Sequence, residues 1–256
     1  MIINVPSAEG LNEIALRLYV SAWSALAKVY EDFAIHYEQN VGWSPDWPGN
    51  SWAQEWNDYI EVCQPDMHSI CISIQQSNEL ALKARICGVS PYLLLIRSEA
   101  RFSQAVKDVD FSTLRTLDAV ELPGAVNTLC KDTLSPQFIQ SYDRIRSLRN
   151  QIAHLGVIGK NFYPLELLQL LVQQYCDIWP SRRWLKDRLD FTSNSRRGFF
   201  HDGTNTSASA DVMHELPFTF GMLRPAEFKQ LLAYPGVHGC TFALYASITR
   251  VWTTPT

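Results

Sequence analysis

Residues 135–160, SPQFIQSYDRIRSLRNQIAHLGVIGK, decide how the chain is read. Ser135 before Pro136 reads as a helix cap and first helical position: a serine oxygen satisfies an early backbone N–H, and proline has none to satisfy. Phe138, Ile139, Tyr142, Ile145, Leu148 and Ile152 recur at helical spacing, and Gly156 and Gly159 end the run. Wound as a helix, Phe138, Tyr142, Ile145, Leu148, Ile152 and Leu155 form a core face with Arg149 at its edge. Ala153, Arg146, Asn150 and His154 follow around the polar side. Arg149 and His154 then stand about 140° apart around the axis and roughly 7–8 Å apart along it. One helix alone does not wrap a phosphodiester between them, so a second copy packed on this strip is expected to complete a site at a two-fold axis.

These residue types suit metal-free RNA cleavage. The 2′-hydroxyl of RNA attacks the adjacent phosphorus once a base takes its proton, and a histidine titrating near neutrality serves as that base or as the acid for the leaving oxygen. An arginine stabilises the charge that gathers on the phosphoryl oxygens. An asparagine orients the histidine or contacts phosphate. The same residues also admit a structural reading, in which Arg149 pairs with an acid at the core edge and His154 sits at a helix C-terminus, where a cation is favoured.

The run Arg149-Asn150-Gln151-Ile152-Ala153-His154 resembles the R-N-x-x-x-H signature of the HEPN superfamily, and it falls near the end of the penultimate long helix of a bundle, as there. Glu79-Leu80-Ala81-Leu82-Lys83-Ala84 resembles the E-x-x-x-K helix found upstream in bacterial HEPN proteins. The resemblance covers residues 11–190. It implies a mainly α fold, a bundle of four to five helices that pairs as a homodimer, and a metal-independent endoribonuclease acting on tRNA or mRNA. It further implies a toxin or anti-phage defence role with an antitoxin or defence-system partner protein. Arg149, Asn150 and His154 are the catalytic candidates it supplies. The alternative from the same superfamily is a non-catalytic dimerisation or RNA-binding module.

The rest of the chain frames this helix. Leu11–Tyr37 reads as a long amphipathic helix on Leu11, Ile14, Leu18, Ala22, Ala25, Val29 and Phe33, broken by residues 38–50. Helices are expected over Trp52–Cys63, Asp66–Cys87, Ser90–Glu99 and Tyr163–Trp179, with Trp184–Leu189 a continuation beyond Pro180. Residues 101–112 read as a polar loop. Phe111–Leu122 reads as a short helix interrupted by Pro123, with a further turn or two over Ala125–Lys131. Past residue 190 the texture changes. Asn194–Ala210 reads as a loop, Phe218–Leu223 and Thr241–Trp252 as strands, and Pro225–Ala233 as a short helix. The expected organisation is a HEPN-like helical domain, 1–190, and a small C-terminal α+β appendage, 191–256.

Composition sets outer bounds. In 256 residues, 46% are apolar and 19% charged, the balance of a globular protein with a core of ordinary size. The net charge of −4 does not announce a nucleic-acid binder, although arginine outnumbers lysine 15 to 7. Arg182, Arg183, Lys186, Arg188, Arg196 and Arg197 form the densest basic stretch, which reads as a solvated surface or as a guide for an RNA backbone. Arg144 and Arg146 flank the motif, and with Arg182 and Arg183 they are the RNA-binding candidates. Glu79 and Lys83 are candidate supports, either as an i, i+4 ion pair or facing the motif helix.

The six cysteines, Cys63, Cys71, Cys87, Cys130, Cys176 and Cys240, lack C-x-x-C spacing and read as reduced thiols. No secretory signal or bilayer-spanning run is expected, which places the chain in the cytoplasm, away from membranes. His201, His214, His238 and Cys240 lack the paired spacing of a zinc site, so no metal and no cofactor is expected. Trp43, Trp47, Trp52 and Trp56 read as packing for a long connection, with base stacking the other reading.

Overall fold

Ser7 starts the first helix by accepting a hydrogen bond on its Oγ from Gly10 N at 3.0 Å. That helix, α1 (Ala8–Trp43), and α3 (Gln64–Val89) form the spine of the computed structural model, which describes residues 1–43, 52–96, 108–155, 161–203 and 206–232. Between them lies α2 (Trp52–Val62). Then follow α4 (Leu122–Leu129), α5 (Pro136–Leu155), α6 (Pro164–Ile178), α7 (Trp184–Ser193), α8 (Ala208–Phe220) and α9 (Pro225–Leu232). The protein is mainly helical. Among the described residues the strands are two residues each, β1 (Ile2–Ile3) and β2 (Val109–Asp110), paired in parallel.

Helix α1 runs to Trp43, beyond the expected stop at Tyr37. Its buried stripe is also rotated from the expected one. Ala22, Val29 and Phe33 are buried, but Ile14 is 51% exposed and Tyr19, Trp23 and Leu26 take the centre. The aromatic pair decides this phase: Tyr19 and Trp23 reach under α6 and α7, where Trp184 Nε1 donates to Tyr19 Oη at 3.0 Å. Trp23 and Trp184 pack with ring centroids 4.7 Å apart.

Helices α1 and α3 run antiparallel. Cys87, late in α3, donates to the carbonyl of Pro6 just before α1. Ser77 Oγ donates to Ala15 O at 2.7 Å and accepts from Gln174 Nε2 at 2.9 Å, tying α1, α3 and α6 through one buried hydroxyl. Trp56 of α2 packs on Tyr30 and Phe33 of α1, with centroids 5.2 and 4.9 Å away. Trp52 joins the same cluster, 5.0 Å from Phe33. Trp52 and Trp56 are thus packing residues, while Trp47 and the side chain of Trp43 lie outside what is described.

Proline and polar signals explain the local departures from expectation. The segment after Ser90 is a 3-10 turn, Pro91–Leu95, and the expected end at Glu99 lies outside the described residues. Pro123 does not interrupt a helix. It occupies the first turn of α4, where a missing N–H costs nothing. Of the expected helix over Phe111–Leu122, only the 3-10 turn Phe111–Thr113 precedes α4, set by Asp110 accepting from Ser112 N at 2.8 Å. Val109 and Asp110, read as loop, are strand β2.

Phe218–Leu223 is not a strand, since α8 runs through Phe220. Ser207 Oγ caps this helix by accepting from Ala210 N at 3.2 Å. Val212, Leu216 and Phe220 then recur at i, i+4 and i+8, a helical period hidden by β-favouring composition. The expected strand over Thr241–Trp252 lies outside the described residues. Residue 190 falls within α7, and the buried side chains of α8 and α9 share one hydrophobic cluster with α1 and α6.

A buried ion pair joins α7 to α8. Arg188 NH2 lies 2.6 Å from both carboxylate oxygens of Glu215, with side-chain exposures of 3% and 19%. Burial pushes the Glu215 carboxyl up, while the Arg188 guanidinium and Ser24 pull it back. Glu215→Ala leaves a buried guanidinium unpaired and is expected to cost about 3–5 kcal/mol. Arg17→Ala, which removes an exposed pair with Glu13, should cost less than about 1 kcal/mol. Chemical denaturation of both variants checks the contrast, and equal losses contradict it.

Candidate active site

Helix α5 is capped as its sequence suggests, with Ser135 Oγ accepting from Phe138 N at 3.0 Å. Phe138, Tyr142 and Ile145 are buried, and Leu148 and Ile152 are half-buried. Tyr142 Oη donates to Ala119 O at 2.7 Å, and Ser141 Oγ donates to Gln173 of α6 at 2.9 Å. Burial pushes the Tyr142 hydroxyl far up, with the charge of Glu79 adding to it, so it stays a proton donor near neutral pH. The opposite face, Gln140, Asp143, Arg144, Ser147 and Gln151, is exposed.

The motif begins on the border between these faces. Arg149 NH1 donates to Asn150 Oδ1 at 3.0 Å. Its NH2 lies 3.7 Å from Glu79 Oε1 on α3. Glu79 Oε1 also accepts from Gln75 Nε2 at 3.2 Å, and Gln75 is fully buried. A polar chain therefore runs from the core outward, from Gln75 through Glu79 and Arg149 to Asn150. His154 is one turn beyond Asn150 and is the penultimate residue of α5. Its side chain, like Gly156 and Gly159, lies outside what is described.

The other candidates separate. Lys83 donates to Thr116 Oγ1 at 3.2 Å rather than to Glu79, whose carboxylate is turned to Gln75 and Arg149. Arg146 lies at the same border, its side chain 25% exposed and 3.5 Å from Asp143. Its Nε is buried and lacks a hydrogen-bond partner among the described residues. Arg144 is exposed. Arg182 is held in a fork by Asp187, Nε to Oδ2 at 2.8 Å and NH2 to Oδ1 at 2.6 Å. Arg183 is exposed at the start of α7.

Arg182 and Arg183 do not lie with the motif within one chain. Ser141 of α5 meets Gln173 of α6, and Ser135, just before α5, bonds the Asp177 carboxylate. The C-terminus of α6 therefore lies beside the beginning of α5, and Arg149 is roughly 20 Å further along that helix. Gln75 was missed by sequence reasoning. Its signal was a polar residue one turn before Glu79 on the buried side of α3.

The remaining chemistry-bearing residues have ordinary partners. His201 Nε2 lies 3.0 Å from Asp211, and His214 packs on Phe218. His238 and Cys240 lie outside the described residues. Cys63, Cys71, Cys87, Cys130 and Cys176 are free thiols, and burial pushes Cys71 up to about 12 and Cys176 to about 11. No described helix is long and apolar enough to cross a membrane.

Searches against protein-family models, curated proteins and solved structures find no match to this chain. What the site can do therefore rests on its own geometry. A planar guanidinium on a half-exposed border, oriented by an acid behind it and an amide beside it, suits an oxyanion such as phosphate. If Arg149 serves a ligand rather than the fold, Arg149→Ala should cost less than about 1 kcal/mol in chemical denaturation, because its pair with Glu79 is long and partly exposed. A loss of several kcal/mol would make Arg149 a structural residue.

Proposed function

We propose that the protein is a metal-independent endoribonuclease whose site is composed from the α5 helices of two copies. The observation that carries this reading is the Arg149–Asn150 contact on the border of α5, backed by Glu79 and followed one turn later by His154. The 2′-hydroxyl oxygen attacks phosphorus, its proton passes to a base, the P–O5′ bond breaks, and the 5′ oxygen leaves with a proton. His154 is assigned the base or acid role. Arg149 stabilises the charged phosphorane, and Asn150 orients. The products are a 2′,3′-cyclic phosphate and a 5′-hydroxyl. Arg146 and Arg144, on the same helix, are assigned the flanking phosphates.

The HEPN-like arrangement, the homodimer and the RNA substrate come from the resemblance of the motif and from helix geometry. A toxin or defence role, with a partner that restrains the enzyme, rests on that resemblance alone. One observation favours the second reading, a non-catalytic RNA-binding or dimerising module: at rest, Arg149 is already engaged by Glu79.

Purified protein incubated with mixed RNA in EDTA, beside His154→Ala, separates the two. Cleavage that leaves 2′,3′-cyclic phosphate ends and falls by at least a hundredfold in the variant is the expected result. Equal cleavage by both proteins, or products with 3′-hydroxyl ends, would rule the mechanism out.

A further inference from the structure

Between α7 and α8 the chain turns through Arg196-Arg197-Gly198-Phe199-Phe200. Phe199 is 84% exposed and Phe200 71%, and their rings meet edge to face with centroids 5.2 Å apart. Leaving two phenyl rings in water is unfavourable, so such a pair marks a surface that something covers.

The turn is firmly built. Ser195 Oγ donates to Thr192 O at 2.7 Å and accepts from Gly198 N at 3.1 Å. Backbone bonds from Phe199 N to Ser195 O and from Phe200 N to Arg197 O, at 3.2 and 3.0 Å, close it. A Cβ on Gly198 would overlap the carbonyl oxygens of Ser193 and Thr192, so only glycine fits there. Asp211 of α8 holds both Arg197, at 2.7 Å, and His201, at 3.0 Å. The rings are therefore presented by a fixed scaffold, with two exposed guanidiniums at their base.

We propose that this tip binds single-stranded nucleic acid, with bases stacked on the outer faces of Phe199 and Phe200 and phosphates on Arg196 and Arg197. Aromatic rings beside arginines are the common chemistry of such platforms, since every base offers a π-face. A broad anionic bilayer fits less well. It would meet the protein's net charge of −4, whereas a strand samples only charges within about 10 Å, where the two arginines stand beside Asp202 and Asp211. A protein partner fits less well too. Two phenylalanines supply at most about 500 Å² against the roughly 800 Å² per partner of a stable interface. The tip follows α7 and is pinned to α8 through Asp211, whereas the motif lies on α5 against Glu79 of α3. The tip thus serves as an anchor for an unpaired strand and not as part of the cleavage site. As the substrate form taken by the enzyme, unpaired RNA rests on the function proposed above.

Binding is tested apart from cleavage by using a short labelled oligothymidylate, which lacks the 2′-hydroxyl the proposed reaction needs. By fluorescence anisotropy at low salt, the full chain should bind it. Phe199→Ala with Phe200→Ala should weaken binding at least tenfold with an unchanged circular dichroism spectrum. Arg196→Ala should weaken binding less and flatten its salt dependence. Binding in the ring-less variant equal to wild type would overturn the proposal. So would absence of binding by wild type, or wild-type binding to phosphatidylglycerol vesicles but not to the oligonucleotide. A protein that binds the strand but cleaves no RNA would uphold the tip and sink only the enzyme reading.

Discussion

Helix α3 is buried over more than half of its circumference, and the other helices arrange themselves around that constraint. Its inward residues include Met67, Ile74 and Leu82, but also Gln75, Ser77 and Asn78, so the core it occupies is partly polar. A buried amide or hydroxyl is costly unless bonded, which fixes where neighbours sit. Ser77 is met by Ala15 of α1 and Gln174 of α6. Gln75 is met by Glu79, and Glu79 in turn faces Arg149. The same helix that centres the core therefore orients the motif. Among the described residues, α3 and α6 cover one side of α5, and the other side is exposed.

The basic residues divide by partner rather than by sequence density. Arg188 is buried on Glu215, Arg182 is forked on Asp187, and Lys186 pairs with Asp190. Arg188 ties α7 to α8, and Arg182 ties the turn after α6 to α7, so these two are poor candidates for capturing a ligand, whereas the Lys186 pair is exposed and lies within α7. Arg149, Arg146 and Arg197 also face carboxylates, of Glu79, Asp143 and Asp211, but stay half-exposed or exposed, and Arg196 is exposed at the tip. Local placement, rather than the net charge of −4, thus decides which arginines remain reachable from solvent.

Much of the fold was legible because a first-turn proline starts α3, α5 and α6, and in α5 a serine cap and the apolar period agree with it. The Ser135-Pro136 start and the Phe138, Tyr142, Ile145 face appear as read. The phase of α1 was not legible, since Ile14 and Leu11 suit a stripe as well as Tyr19 and Trp23 do. Only packing against Trp184 chooses between them. Helix α8 was misread because Phe218, Thr219 and Phe220 favour strands, while the cap at Ser207 and the spacing of Val212, Leu216 and Phe220 favour a helix. At the site, sequence spacing named Arg149, Asn150 and Glu79. The partner of Lys83 and the backing by Gln75 depend on how α3 and α5 cross, which no local pattern encodes.

The proposed cleavage needs a site shared between two copies, because one helix separates Arg149 from His154 by about 140°. Subunit mixing tests this most directly. Arg149→Ala and His154→Ala proteins, each inactive alone, are combined under conditions that exchange subunits, and RNA cleavage is measured. The account predicts that activity returns in the mixture, since a mixed pair restores one arginine and one histidine to the shared cleft. Proven exchange with no return of cleavage would contradict a composite site.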